Sequence, residues 1–324
     1  MARKLFTNAR VVSPDEVFLG TVEWHAGRIV RVEIGATSVP GAEDLAGDYL
    51  LPGLVKLGGV RATALPRGTA GIASLVETDL IAAACGITTV FDIFDLPAHA
   101  DASAWAAVAA SLAWLDVGTA RGTLRCHHAV RWQVTPASAA NLPAAFAMLP
   151  RHRLARLVSV APETLATFDG VADIAREHGL TAATINVSSP ADVALCRSRG
   201  IDRLLLPAAS AGDCADLAAL RCMPNHPTSV TALPRSPPHL GPRDALDTLG
   251  PTLELLQGPF RGRDHDRWSL ALGIAAVSVR AARLAGFQDR GAIAVGQRAD
   301  LVRVRESDGV AVPISTWRGG ERIA

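Results

Sequence analysis

Apolar and polar residues alternate over residues 4–12 and 21–34, around a tight turn at His25-Ala26-Gly27-Arg28. Period-two alternation with a glycine turn predicts an antiparallel hairpin or small sandwich. Residues 35–48 read as loop. From Leu54 the pattern changes to short apolar runs separated by Ala-rich stretches of helical spacing. Ile87-Thr88-Thr89-Val90-Phe91-Asp92 is the clearest strand, a β-branched run directly after Gly86. Ser74 to Cys85 reads as the helix before it, with Ser74 as N-cap and Glu77 three residues on. Further strands are expected at 122–130, 154–160, 180–187, 201–206, 228–233 and 252–256. Helices are expected at 101–117, 164–178, 190–199, 211–221, 243–249 and 268–285. This strand–helix alternation predicts a parallel α/β layout. Residues 224–243 are proline-rich and read as an irregular connection. The chain returns to strands at Gly291–Val304 and Thr316–Ile323.

The 324 residues suffice for a (β/α)8 barrel and a small accessory domain. Nearly half are apolar, and the net charge is +1. No global field therefore favours nucleic acid or an anionic membrane. Five scattered cysteines (Cys85, Cys126, Cys196, Cys214, Cys222) form no C-x-x-C pair, which predicts reduced, buried thiols and a cytoplasmic protein. Neither a signal-peptide core nor a membrane span is expected. Lys4 and Lys56 are the only lysines, which excludes chemistry needing a lysine later in the chain.

Four blocks resemble the amidohydrolase superfamily. They are the amino-terminal strands with Ala26-Gly27-Arg28-Ile29, Leu51-Pro52-Gly53-Leu54, Gly86–Val90, and Asp289-Arg290-Gly291 through Gly296–Leu301. Pro40–Leu45, Gly86–Asp92, Leu124-Arg125-Cys126 and Leu157–Val160 are similar to a subgroup of that superfamily. Its members are the triphosphate diphosphatases of the carbon–phosphorus lyase pathway, which hydrolyse ribose methylphosphonate triphosphate to its monophosphate and pyrophosphate. The resemblance implies an α/β fold: a (β/α)8 (TIM-type) barrel, distorted or truncated, over residues 51–289. It also implies a small discontinuous β-sandwich domain from 1–50 and 290–324. Asp300 is expected to order a strand start.

The departures from the family matter more. Its metal ligands follow Leu-Pro-Gly-Leu as His-x-His or His-x-Asp, and here Gly58 and Val60 stand there. Later ligand positions align with Ile185 and Pro259, and His127 replaces a Glu after Leu124-Arg125-Cys126. A carboxylated lysine is impossible beyond residue 56. Gly, Val, Ile and Pro side chains donate no electron pair to a metal.

Among the remaining candidates, Asp92 and Asp95 follow the second strand, where barrels place catalytic groups. His127 and His128 are expected to be one packed and one solvated, since adjacent strand residues face opposite sides. Asp264-His265-Asp266 looks like a ligand cluster but lies among Arg261, Arg263 and Arg267. Arg61 and Arg67 suit a phosphate ligand. No G-x-S-x-G, P-loop or H-E-x-x-H motif is present.

The expectation is a metal-free pseudoenzyme of phosphonate metabolism, a binding or partner scaffold without cofactor. Its partners would be a phosphorylated sugar or phosphonate, an intact paralogue or a second copy. The alternative is an active hydrolase, diphosphatase or cyclic C–N amidohydrolase. It would use a relocated site with a divalent metal, with Asp92 and His127 catalytic.

Overall fold

The computed structural model describes residues 3–58, 69–149, 151–185, 189–207, 229–233, 267–307 and 310–324. Expected elements at 211–221, 243–249 and 252–256 lie outside the described residues. In chain order the elements are β1 Lys4–Val12, β2 Val17–His25, β3 Arg28–Ile34, β4 Glu43–Asp44, β5 Tyr49–Pro52 and β6 Leu54–Lys56. Then follow α1 Thr69–Ala84, β7 Ile87–Asp95, α2 Ala102–Ala120, β8 His127–Gln133, α3 Pro136–Ala139, α4 Leu142–Ala147 and β9 Ala155–Val160. Next are α5 Pro162–Thr167, α6 Val171–Glu177, β10 Thr181–Ile185, α7 Pro190–Ser198, β11 Arg203–Pro207 and β12 Ser229–Leu233. The chain ends with α8 Arg267–Ala276, α9 Val279–Leu284, β13 Leu301–Ser307, β14 Val310–Arg318 and β15 Glu321–Arg322.

Two sheets organise the molecule. Seven strands, β6 to β12, pair in sequence order, all parallel. Parallel neighbours need crossovers, and helices such as α1 and α2 supply them. The fold is therefore mixed α/β, with a parallel half-barrel sheet. Side chains alternate across it. Phe94, Val130, Trp132, Val158 and Val160 pack with α2 residues Trp105, Val108, Leu112 and Leu115. On the opposite, concave face, Val55, Leu57, Phe91, Ala129, Leu157, Ala183 and Ile185 pack with Ala281, Ala282, Leu284 and Phe287. Helix α9 thus seals part of the concave face, touching both β6 and β12.

The second sheet is built from both chain ends, in the order β15-β14-β13-β5-β1-β2-β3, with β4 on β1. Its core joins Phe6, Trp24, Leu45, Leu50, Leu301 and Trp317. Trp24 Nε1 donates to the Gly320 carbonyl at 3.3 Å, so the sheet curls until distant turns meet.

Asp300 joins the two sheets. It is 2% exposed and accepts from Thr88 Oγ1 at 3.1 Å, Gly319 N–H at 2.8 Å and the Arg298 guanidinium. Its own carbonyl takes the Gly53 N–H at 2.8 Å. A Cβ on Gly53 would collide with Thr88 and lie 2.9 Å from Asp300 Cβ. That crowding explains the glycine of the Leu-Pro-Gly-Leu segment.

Four expectations are corrected. Helix α1 already begins at Thr69, so Ser74 lies inside it and is not its N-cap. The helix over 164–178 is two short helices, because Gly170 takes φ +89° between them. The helix over 268–285 breaks after Ala276, where the Val277 carbonyl accepts the N–H of Val55 at 2.8 Å from the first parallel strand. The strand over 122–130 starts only at His127. The N–H groups of Arg125 and Cys126 donate instead to the Asp79 carboxylate, at 2.7 and 2.8 Å.

Candidate functional site

The sites expected from sequence divide into three places. Val60, Arg61, Arg67, Pro259 and Asp264-His265-Asp266 lie outside the described residues. Gly58 and Ile185 are buried at the carboxyl ends of β6 and β10. Asp92 and His127 sit on neighbouring strands but on opposite faces, so the structure does not bring them together.

His127 opens β8 beside Thr89, at the amino end of the sheet. Its ring meets Phe287 edge-on at 5.6 Å, and Arg290 covers the same phenyl ring at 4.0 Å. Burial, then the positive charges of Arg290 and Arg298, push the His127 pKa down to about 3. The imidazole is therefore neutral. Arg290 and Arg298 also donate to Thr89 Oγ1, at 3.3 and 3.4 Å.

His128 faces the other way, toward α1, and is 2% exposed. Nδ1 lies 2.7 Å from Asp92 Oδ2, and Nε2 lies 3.0 Å from Asp79 Oδ1. Burial alone would lower its pKa, but the Asp92 charge and the two carboxylate bonds outweigh it and raise the value to about 9. With a carboxylate at each nitrogen, the ring is an imidazolium donating at both ends. The expected solvated histidine of the pair is thus corrected: His128 is enclosed and His127 is partly buried. Lys56, 6% exposed, lies near Asp92, and burial lowers its pKa. Cys85 and Cys126 stand close by with thiol pKa values raised by burial. Cys85, Cys126 and Cys196 are all free and buried.

This Asp–His–Asp arrangement is a clasp. It ties α1 to β7 and β8 and is sealed from solvent, so it cannot exchange a proton with a substrate. Sequence reasoning missed Asp79. The available signal was an acid on the apolar stripe of α1, four residues after Leu75 and three before Ala82, both of them buried.

The concave face near the carboxyl strand ends has a different character. Leu57, Gly58, Ile93 and Ile185 supply apolar surface. Arg131 shares the inward side of β8 with Ala129, is 3% exposed, and lies beside Ile93 and Leu157 in the strand register. Its Nη2 donates to Gln133 Oε1 at 3.4 Å. Ser159, fully buried, occupies β9 and donates to the Trp132 carbonyl at 3.2 Å. A divalent metal does not fit these residues: Gly58 and Ile185 have no donor atom, and a guanidinium on the same wall repels a cation. Among the described residues no group of three or more His, Cys, Asp or Glu is placed to hold a metal ion. Among the described residues this wall is largely apolar, with the Arg131 guanidinium and, two residues beyond Ile93 on the same face of β7, the Asp95 carboxylate.

No protein-family model matches the sequence, and no curated protein does. Solved structures do match the fold. N-acetyl-D-glucosamine-6-phosphate deacetylase from Mycobacterium smegmatis superposes with TM-score 0.69 at 14% identity, over 99% of this chain and 100% of that one. 5-Methylcytosine deaminase from Klebsiella pneumoniae gives 0.62 at 15% identity, over 99% and 97%. Guanine deaminase from C. acetobutylicum gives 0.59 at 10%, over the whole of both chains. The chain therefore has the fold shared by these deacetylases and deaminases. None of the three is a triphosphate diphosphatase, and that finer resemblance rests on the sequence motifs alone. Among the described residues no helix is long and apolar enough to cross a membrane.

Proposed function

We propose that this protein is an amidohydrolase-superfamily barrel working without a metal, as a binding or partner scaffold in phosphonate metabolism. One observation carries the reading. Where the family's ligands would project, the inner wall bears Leu57, Gly58 and Ile185, with Arg131 as its buried charge. Hydrolysis in such barrels depends on a metal-activated water, and Leu57, Gly58 and Ile185 offer no donor atom to hold one. A guanidinium matches phosphate or phosphonate oxygens through paired hydrogen bonds. The ligand class is thus a phosphorylated sugar or a phosphonate, retained rather than cleaved. Fold and chemistry are separable in this way because the apolar frame does not depend on the ligands.

The test combines three measurements on the purified full chain. Elemental analysis is expected to show well under one zinc, manganese or iron per chain. Incubation with ribose methylphosphonate triphosphate and added divalent metal is expected to release no pyrophosphate. Calorimetry with ribose 5-phosphate and with methylphosphonate is expected to show binding to at least one, lost in Arg131→Met. Stoichiometric metal with turnover abolished by Asp264→Ala or His265→Ala would instead establish a relocated hydrolytic site.

A further inference from the structure

The outer edge of the terminal sheet carries a self-complementary strand. β3 ends the strand order, and among the described residues its outer side is bonded only at its start. There Ile29 N–H donates to the Gln297 carbonyl at 2.9 Å, and the Ile29 carbonyl accepts from Gly296 at 2.8 Å. Further along, Gly35 N–H turns inward to the Leu19 carbonyl at 2.8 Å. By the alternation of antiparallel pairing, Glu33 and Arg31 also turn their backbone groups toward β2. Val32 and Ile34 then present theirs to the open side.

This edge lacks the usual guards. It holds no lysine and no proline, and two of its apolar side chains are uncovered: Ile34 is 81% exposed and Val30 40%. Its charges are Arg28, which donates to the Gly296 carbonyl at 2.8 Å, and the pair Arg31 and Glu33, two residues apart and 3.4 Å from each other.

We propose that two copies of this chain pair through β3, antiparallel about Val32. In that register Arg31 of each copy lies opposite Glu33 of the other. The relation occurs twice, as a two-fold axis requires. The neighbouring registers are disfavoured by charge. Pairing about Glu33 sets Glu33 against Glu33, and pairing about Arg31 sets Arg31 against Arg31; like charges directly opposite destabilise a sheet pair. A one-residue slip would also turn the apolar side chains to the wrong face. The short strand implies a weak, concentration-dependent dimer. This inference is independent of what the barrel binds.

Sedimentation equilibrium of the full chain tests it. The wild type is expected to show a monomer–dimer equilibrium. Glu33→Arg and Arg31→Glu, each checked for native circular dichroism, are each expected to be monomeric. An equal mixture of the two is expected to form a heterodimer, since every cross-pair then joins opposite charges. Ile34→Lys leaves the ion pairs within each copy intact, and at so exposed a position it does not threaten folding; it is also expected to abolish the dimer. A wild type that stays monomeric at its highest attainable concentration overturns the proposal. So does a dimer that survives Ile34→Lys, or a mixture of folded charge variants that remains monomeric.

Discussion

His128 Nδ1 stands 2.7 Å from Asp92 Oδ2, on the side of β8 turned away from His127. Two adjacent histidines thereby reach opposite protonation states in one fold. The parallel sheet separates a ring pressed by arginines from a ring enclosed by carboxylates.

Stability is expected to peak in the slightly acid to neutral range. The raised His128 pKa, from 6.5 to about 9, contributes stability that is complete below 6.5 and lost as pH rises through 9, because only the folded state keeps the proton there. The lowered His127 pKa, from 6.5 to about 3, acts in reverse: its cost grows as pH falls from 6.5 toward 3, where the unfolded chain takes a proton the folded chain refuses. At their limits the contributions are on the order of 3 kcal/mol for His128 and 5 kcal/mol for His127. Lys56, its pKa lowered by burial, gives an alkaline slope opposite to that of His128. Urea unfolding of wild type and His128→Gln between pH 6 and 9.5 isolates the histidine. The difference between them should shrink as pH rises, and a constant difference would refute the imidazolium.

Asp79→Ala is expected to cost about 3–5 kcal/mol. It removes the acceptor of two backbone N–H groups and leaves a buried imidazolium with one carboxylate. Asp79→Asn keeps one acceptor oxygen and should cost less. Denaturation of both variants decides the matter, and equal losses would point to packing rather than charge.

Gly53→Ala is expected to destabilise by about 1–3 kcal/mol, since the new methyl group meets Thr88 and Asp300. Combining it with Thr88→Ala should return part of the loss. Thermal melts of the single and double variants form the cycle, and strict additivity would show that the collision is not the cause.

Restoring Gly58→His and Val60→Asp together is expected not to recover diphosphatase activity. A working metal needs three or more fixed ligands and an oriented water. Ile185 and Pro259 would still offer none, and Arg131 would still oppose the ion. Pyrophosphate release and metal content of the double variant provide the readouts, and turnover after these two changes alone would show the rest of the site intact.

Much of the architecture is legible locally. The terminal strands, β7, β9, β11 and β12 lie within a few residues of their expected places, because period-two apolar runs between glycines leave few alternatives. Two of the misjudged elements share a cause. At Val277 and at Arg125–Cys126, backbone groups find partners in distant segments, Val55 and Asp79, and local pattern carries no record of such bonds. The same limit hid the clasp, whose members Asp79 and His128 lie 49 residues apart.

Residue identity at Gly58, Val60, Ile185 and Pro259 is fixed by the sequence, and none of these side chains carries a metal-donor atom, since side-chain chemistry does not depend on folding. Identity alone leaves open which of two neighbouring histidines meets solvent, arginine or carboxylate. Packing settles that: a strand has two faces, and the helix or loop covering each one sets the charge its side chains carry. Arg131 gained its place as the buried charge of the inner wall in the same way, through strand register and alternation rather than any motif in the chain.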